Sequence, residues 1–357
     1  MSRVTVLVPN YNREAHLSAC LQSIQAQTFT DWRVCVGDNA STDRSVEIVR
    51  SFGDPRFELV RRPENVGYVR NTNLLLDDVD TEFVAILHSD DWWEPGFLQR
   101  LVGLLDAAPA ALMAVCAVKQ VFDSGATHLN WLEASGLAGD TSVLPPPEAT
   151  RILVRTWPFL TPSDVLARTD LYRRVAGFEE SLPYSTDWLM WLRAASVGSV
   201  AVCQWPLANN RKHAASITGE AERSVRWADE WIRLGRIVEA EWQAKGPPYP
   251  GAARELRAMN ALRFVMKSYE LHEQGNRAGA LRLTGLAGEI APSRALRTGA
   301  RVQRMFIRTT TPAAARRFRH LAAGLVRRFA RPGQPAATSD PRRSAMGDIL
   351  TVLRESN

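Results

Sequence analysis

The chain has 357 residues, a formal net charge of +6, 45% hydrophobic and 23% charged residues. These proportions belong to an ordinary globular protein and exclude a disordered or low-complexity chain. No run of about 18 uninterrupted apolar residues occurs, so no membrane-spanning helix is expected. The opening MSRVTVLVPN runs directly into a β-like segment, so no signal peptide is expected either.

In chain order, Val4–Val8 is β-rich and ends at Pro9-Asn10. Leu17, Cys20, Leu21 and Ile24 then recur at i, i+3, i+4 and i+7, the stripe of an amphipathic helix. Trp32–Val36 predicts a second strand, ending at Gly37-Asp38-Asn39. Ser41-Thr42-Asp43 offers capping residues for a helix carrying Val46, Ile48 and Val49. Phe57–Val60 is a third strand, residues 66–78 read as helix, and Phe83–Leu87 is a fourth strand. Pro95 suits the first turn of a helix carrying Leu98, Leu101 and Leu105, and Met113–Val121 is a fifth strand. Residues 123–162, with Pro145-Pro146-Pro147, read as a long surface excursion. Leu189, Trp191, Leu192 and Ala195 mark a further helix, Lys245–Gly251 a linker, and the chain beyond it is helical. The four cysteines lie far apart among apolar residues without metal-ligand spacing, and are expected to be buried free thiols.

Strands alternating with helices predict an α/β fold with a mostly parallel sheet. Ligands of such sheets bind at the carboxyl ends of the strands. Asn10-Tyr-Asn-Arg13, Asp38-Asn39 and His88-Ser-Asp-Asp91 each follow a strand directly, so they should converge on one rim. The adjacent carboxylates Asp90 and Asp91 read either as capping acids ahead of Pro95 or as ligands of a divalent cation, which would remove their mutual repulsion.

VTVLVPNYNRE, VGDNASTDRS, NVGYVRNTN, LHSDDWWEP and GFEESLPYSTDWLMWLR occur in this order over about residues 3–218, and in that they resemble family 2 glycosyltransferases of the GT-A fold. The resemblance implies an inverting, metal-dependent transferase that uses a nucleotide-diphosphate sugar. Pro9, Tyr11, Asp38, Asn39, Arg70, Ser89 and Asp90 would then face the nucleotide. Asn39 stands where the family usually has a second aspartate, and His88 where it often has the first acid of Asp-x-Asp. Asp90, Asp91 and His213 would hold Mn²⁺ or Mg²⁺, with Arg211 and Lys212 as phosphate neighbours. Asp187 would be the catalytic base, or an N-cap of the helix that follows it, or both. Arg70 also reads as a surface helix residue, and His88 as a packed strand-end residue.

The implied organisation is a transferase domain over 1–218, a helical extension over 219–332, basic from about 290, and a linker with a short tail helix over 333–357. Between Glu289 and Asp340 there is no acidic residue but eleven arginines. Arg294, Arg297, Arg301, Arg304 and Arg308 fall on one helix face, and a second amphipathic helix is expected over 312–331. This segment reads as a solvated basic face or as an interfacial element on an anionic membrane surface, and the second reading suits a glycan or lipid-linked acceptor. No nucleic-acid motif accompanies it. The expected location is cytoplasmic, peripheral on the inner face of the cell membrane. A nucleotidyltransferase and a non-catalytic nucleotide-sugar-binding scaffold are the rival readings; the first normally carries a glycine-rich phosphate loop, which Pro9–Arg13 lacks.

Overall fold

The alternating pattern folds into a ten-stranded mixed sheet with helices packed against it. The structure is a computed structural model and describes residues 2–129, 139–156, 160–213 and 225–311. The chain divides into two compact units, the first comprising most of residues 1–220, the second taking 154–157 and the chain from 221 onward.

In the first unit the strands are β1 (Val4–Asn10), β2 (Trp32–Asp38), β3 (Phe57–Arg61), β4 (Phe83–Ile86), β5 (Trp92–Trp93), β6 (Ala111–Phe122), β7 (Thr127–Leu129), β8 (Thr141–Leu144), β9 (Val165–Arg168) and β10 (Ser199–Lys212). Its helices are α1 (Glu14–Gln25), α2 (Ser45–Ser51), α3 (Tyr68–Leu76), α4 (Phe97–Ala107), α5 (Pro146–Arg155), α6 (Thr169–Arg174) and α7 (Thr186–Val197). The main strand order is β3-β2-β1-β4-β9-β6-β10-β5. The expected parallel arrangement holds for β3-β2-β1-β4. Beyond β4, β9 pairs antiparallel with both β4 and β6, which makes the sheet mixed, while β6 and β10 run parallel. Every residue of β1 is buried, as a central strand covered on both faces must be. Leu17, Cys20, Leu21 and Ile24 of α1 pack into the same core as Val4, Val6 and Val8.

The stretch expected to be an irregular excursion contains regular structure. β7 forms a hairpin with β6, β8 pairs antiparallel with β10, and α5 follows. The three prolines that read as loop start this helix, because proline is tolerated in a first turn that has no backbone N–H bond to lose.

The second unit contains α8 (Arg226–Lys245), α9 (Ala252–Glu273), α10 (Arg277–Ile290) and α11 (Arg294–Thr309). Its core includes Arg263, 1% exposed. The guanidinium donates to Asn260 Oδ1 at 2.8 Å, to the Val154 carbonyl at 2.7 Å and to the Thr156 carbonyl. The two carbonyls lie at a helix end with no intrahelical donor, so the arginine satisfies groups that burial would otherwise penalise. The five arginines 294, 297, 301, 304 and 308 lie on α11 as expected, and all are exposed. The second basic helix expected at 312–331 and the tail at 333–357 lie outside the described residues. Among the described residues no helix is long and apolar enough to cross a membrane. Cys20, Cys116 and Cys203 are buried free thiols and Cys35 is half-buried.

Candidate active site

The carboxyl ends of β1, β2 and β4 open onto a cavity of about 370 Å³. Pro9, Tyr11, Asn39, Ser89, Asp90, Asp91 and Asp187 all line it, together with Arg13, Tyr68, His88, Arg211 and Lys212. Of the other residues singled out in the sequence, His213 meets the site through Asp90, Asp38 sits beneath it, and Arg70 is exposed on α3, away from the lining. Two non-glycine residues of the rim loops, Asn12 and Ala40, have left-handed φ of 50° and 62°. Asn tolerates this region better than Ala, so the strain of the loop after β2 sits at Ala40.

The two adjacent aspartates are made tolerable in opposite ways. Asp91 points inward and is 4% exposed. Its Oδ1 accepts from the Arg211 N–H at 2.9 Å, and its Oδ2 accepts from Ser163 Oγ at 2.7 Å and from Asn210 Nδ2 at 3.0 Å. Burial, then the neighbouring Asp90 charge, push its pKa up to about 7. Asp90 lies among basic side chains instead. His213 Nε2 lies 3.1 Å from its Oδ2 and Arg13 Nε 3.6 Å. Burial works against ionisation of Asp90, but His88, His213 and Arg13 outweigh it and hold the carboxyl below its ordinary value. Arg211 locks the turn from outside, donating to the Asp90 carbonyl at 3.2 Å while its guanidinium lies over Trp92 at 4.9 Å.

Residues at the end of the region read as an excursion, and just beyond it, complete this arrangement. Pro162-Ser163-Asp164 forms a short 3-10 turn with Thr161 as its capping-box residue. Ser163 Oγ accepts from the His88 N–H at 3.1 Å while donating to Asp91, and the Ser163 carbonyl accepts from Trp93 Nε1 at 2.7 Å. Asp164 is fully buried, accepts from Thr161 N at 2.9 Å, and is pushed up to about 8 by burial. Sequence reasoning missed this turn because its signal, a Thr-x-x-Asp capping box, is local and says nothing of which strand end it braces. Arg13 was visible only as the last residue of a loop.

Asn39, on the cavity wall, also braces a neighbouring loop. Its Nδ2 donates to Asn65 Oδ1 at 2.7 Å and its Oδ1 accepts from the Val66 N–H at 2.9 Å, fixing the turn that leads to Gly67. Gly67 has a φ of 87°, a value that explains glycine at this position. Asp38 Oδ1 accepts from Asn10 Nδ2 at 3.3 Å and its Oδ2 from the Ser41 N–H at 3.3 Å. Asn10 Oδ1 and Thr186 Oγ1, both on the cavity wall, are buried and accept or donate nothing among the described residues. Buried polar atoms are rarely left so, and a ligand in the cavity would meet them.

Asp187 occupies the first turn of α7, where its Oδ1 accepts from the Trp188 N–H at 2.8 Å. Burial pushes its pKa up to about 6, although the helix start favours the charged form. Burial lowers the His88 pKa, and its Nε2 lies 2.9 Å from the Tyr68 hydroxyl.

The donor set suits a hard divalent cation. Ligand atoms of His88, Asp90 and Asp91 lie within 4.8 Å of one another. Asp91 already accepts three hydrogen bonds, leaving Asp90 as the carboxylate with oxygen capacity to spare. One or two carboxylates completed by substrate oxygens and water is an ordinary Mg²⁺ or Mn²⁺ environment.

Comparison with known proteins agrees with this geometry. Residues 5–175 match the model of "Glycosyl transferase family 2". Among curated relatives, the Escherichia coli UDP-Glc:alpha-D-GlcNAc-diphosphoundecaprenol beta-1,3-glucosyltransferase WfgD is 30% identical over 102 residues, covering 29% of this chain and 40% of that protein. The chain spans only 14% to 36% of the length of three further curated relatives. Among solved structures, S. aureus TarS 1-349 in complex with UDP-GlcNAc aligns at a TM-score of 0.64 and 17% identity, covering 90% of this chain and 92% of that one. A mannosyltransferase from Pyrobaculum calidifontis, in complex with GDP-Man and Mn2+, aligns at 0.52 and 19% identity, covering 92% and 85%. The sheet with its helices is thus the GT-A fold, and residues 5–175 are similar to glycosyl transferase family 2.

Proposed function

We propose that the chain transfers a sugar from a nucleotide-diphosphate sugar to an acceptor hydroxyl, with inversion at the anomeric carbon. The observation that carries this reading is that Asp187, raised toward neutrality, and Asp90, held ionised, line one cavity at the carboxyl ends of parallel strands. Carboxyls pushed apart in this way suit a base and an anionic anchor respectively. The nucleotide lies over Pro9 and Tyr11, whose half-exposed ring offers a stacking face. Asp187 takes the acceptor's proton as that oxygen bonds to the anomeric carbon, and the bond from that carbon to the diphosphate breaks. Arg13, Arg211 and Lys212 receive the departing negative charge. Asp90, with Asp91, His213 and the neighbouring His88, would hold Mn²⁺ or Mg²⁺, which when bound supplies Lewis-acid stabilisation of the diphosphate. Asp38 and Asn39 act by shaping the loops that enclose the base.

The experiment is a thermal-shift panel of nucleotides and nucleotide sugars with and without Mn²⁺, followed by product analysis. Free nucleoside diphosphate is expected. Pyrophosphate would instead indicate nucleotidyl transfer, and binding without turnover across acceptors would indicate a scaffold.

Ser163 is assigned to positioning Asp91. Ser163→Ala removes the shortest hydrogen bond to that carboxylate and is expected to weaken Mn²⁺ affinity about tenfold with the fold retained. Titration calorimetry measures this, and an unchanged affinity would show that the turn does not tune the site.

The transferase unit is assigned to 1–218, the helical extension to 219–332 and the tail to 333–357. A glycan or lipid-linked acceptor at an anionic membrane face is part of the same proposal. It rests on α11, where Arg301, Met305 and Arg308 recur at helical spacing with Met305 64% exposed. Full-length chain is expected to co-sediment with phosphatidylglycerol vesicles, and Arg294, Arg301 and Arg308→Gln to shift it to the supernatant. Equal recovery for both would remove the membrane from the reading.

A further inference from the structure

The helical unit contains a second cavity, of about 770 Å³, within the size range of small-ligand sites. It lies among α8, α9 and α10, and no residue of α11 lines it. Its apolar lining comes from Ile232, Leu256, Leu286 and Ile290. Its charge is contributed by arginines on two helices, Arg233 and Arg236 on α8 and Arg254 and Arg257 on α9.

These four arginines are not equivalent. Arg257 Nη1 donates to Glu239 Oε2 at 2.6 Å, so that charge is neutralised within the wall. The carboxylate of Asp229 is likewise taken, by Arg282. Arg233, Arg236 and Arg254 are exposed and have no ion pair or side-chain hydrogen bond among the described residues. Among the described residues lining the groove, only the exposed Glu289 stands against them without a partner of its own. Folding gains nothing from gathering three unneutralised guanidiniums around one concavity, since like charges repel. Guanidinium groups present planar, forked donors matched to phosphate oxygens. Arg233 and Arg236, at i and i+3, share one face of α8, and Arg254 approaches from α9, so an anion would be met from two helices.

We propose that this groove binds a phosphate ester, its anionic group held by Arg233, Arg236 and Arg254 and its organic portion resting on Ile232, Leu256 and Ile290. The site is separate from the strand-end cavity and stands whether or not the transfer reading holds. The ester could be a lipid headgroup or a water-soluble sugar phosphate, which share this chemistry.

The test is calorimetric titration of the full chain with inorganic phosphate, glycerol 3-phosphate and dihexanoyl-phosphatidylglycerol below its micellar concentration. At least one ester is expected to bind more tightly than inorganic phosphate. The triple variant Arg233→Gln, Arg236→Gln, Arg254→Gln is expected to weaken it about tenfold or more, as loss of charge-assisted hydrogen bonds requires. These side chains are exposed, so the variant keeps its fold, which its melting temperature verifies. A charge-matched variant at exposed positions outside both cavities, Arg50→Gln, Arg226→Gln, Lys245→Gln, is expected to bind as the unmodified chain does. Preference for the lipid places the ligand at a membrane headgroup; equal affinity for glycerol 3-phosphate makes it a soluble ester, and both outcomes support the groove. Absence of binding by all three probes, inorganic phosphate matching the esters, or equal loss in the charge-matched control variant would overturn it.

Discussion

Asp187→Asn is expected to lower the rate of sugar transfer by about 10²–10⁴-fold while leaving nucleotide-sugar affinity unchanged. The amide keeps the shape of the side chain and can still accept from the Trp188 N–H in the first turn of α7. It cannot take a proton from an acceptor hydroxyl. The pH profile gives a second, independent reading. Burial raises the Asp187 carboxyl to about 6, so it is an ionised base above that pH and a protonated, inactive acid below it. Transfer by the unmodified chain should therefore fall as pH drops through about 6, and the residual activity of the variant should lack that limb. Steady-state kinetics from pH 5 to pH 8 with a competent acceptor measure both. Wild-type rates in the variant would assign Asp187 to helix capping alone.

A comparable loss, of about 10³-fold in kcat/KM, is expected for Asp90→Ala, since Lewis-acid stabilisation of a leaving diphosphate contributes several kcal/mol. Asp90 is the carboxylate with free oxygen capacity, and His213, Arg13 and His88 hold it ionised. Its removal deprives a cation of its main ligand and leaves His213 and Arg13 facing each other without an anion between them. Chelation of the unmodified chain should reproduce the loss, and added Mn²⁺ should restore activity to the unmodified chain but not to the variant. The same substitution at Asp91 is expected to act through stability instead, because it strips the acceptor from Ser163, Asn210 and the Arg211 N–H, all buried or half-buried. An Asp90→Ala chain that transfers sugar normally without metal would show that the arginines and Lys212 alone carry the diphosphate charge.

Much of the site was legible in the chain because all of its parts but Asp187, which starts α7, follow a buried strand. Runs such as Val4–Val8 and Phe83–Leu87 announce strands by composition, and the polar residues that follow them must emerge on one rim of a parallel arrangement. Pro9, Tyr11, Asn39, Ser89, Asp90, Asp91 and Asp187 duly meet at one cavity. Arg70 does not, because helical periodicity leaves several faces open and the chain alone does not say which of them α3 presents to the rim.

What the amino-acid order determined by itself was local: the strand and helix pattern, the loops that carry polar clusters, and the basic character of α11. The tertiary structure decided the rest. Which aspartate has oxygen capacity to spare and which is bonded three times over depends on Ser163, Asn210 and Arg211, which stand 72, 119 and 120 residues from Asp91. The insertion of β9 between β4 and β6 brings the Ser163 turn against the end of β4, and no spacing in the chain encodes that adjacency. Burial, and with it the separation of the Asp90 and Asp187 pKa values, likewise exists only once these distant segments exclude water from the same carboxyl groups.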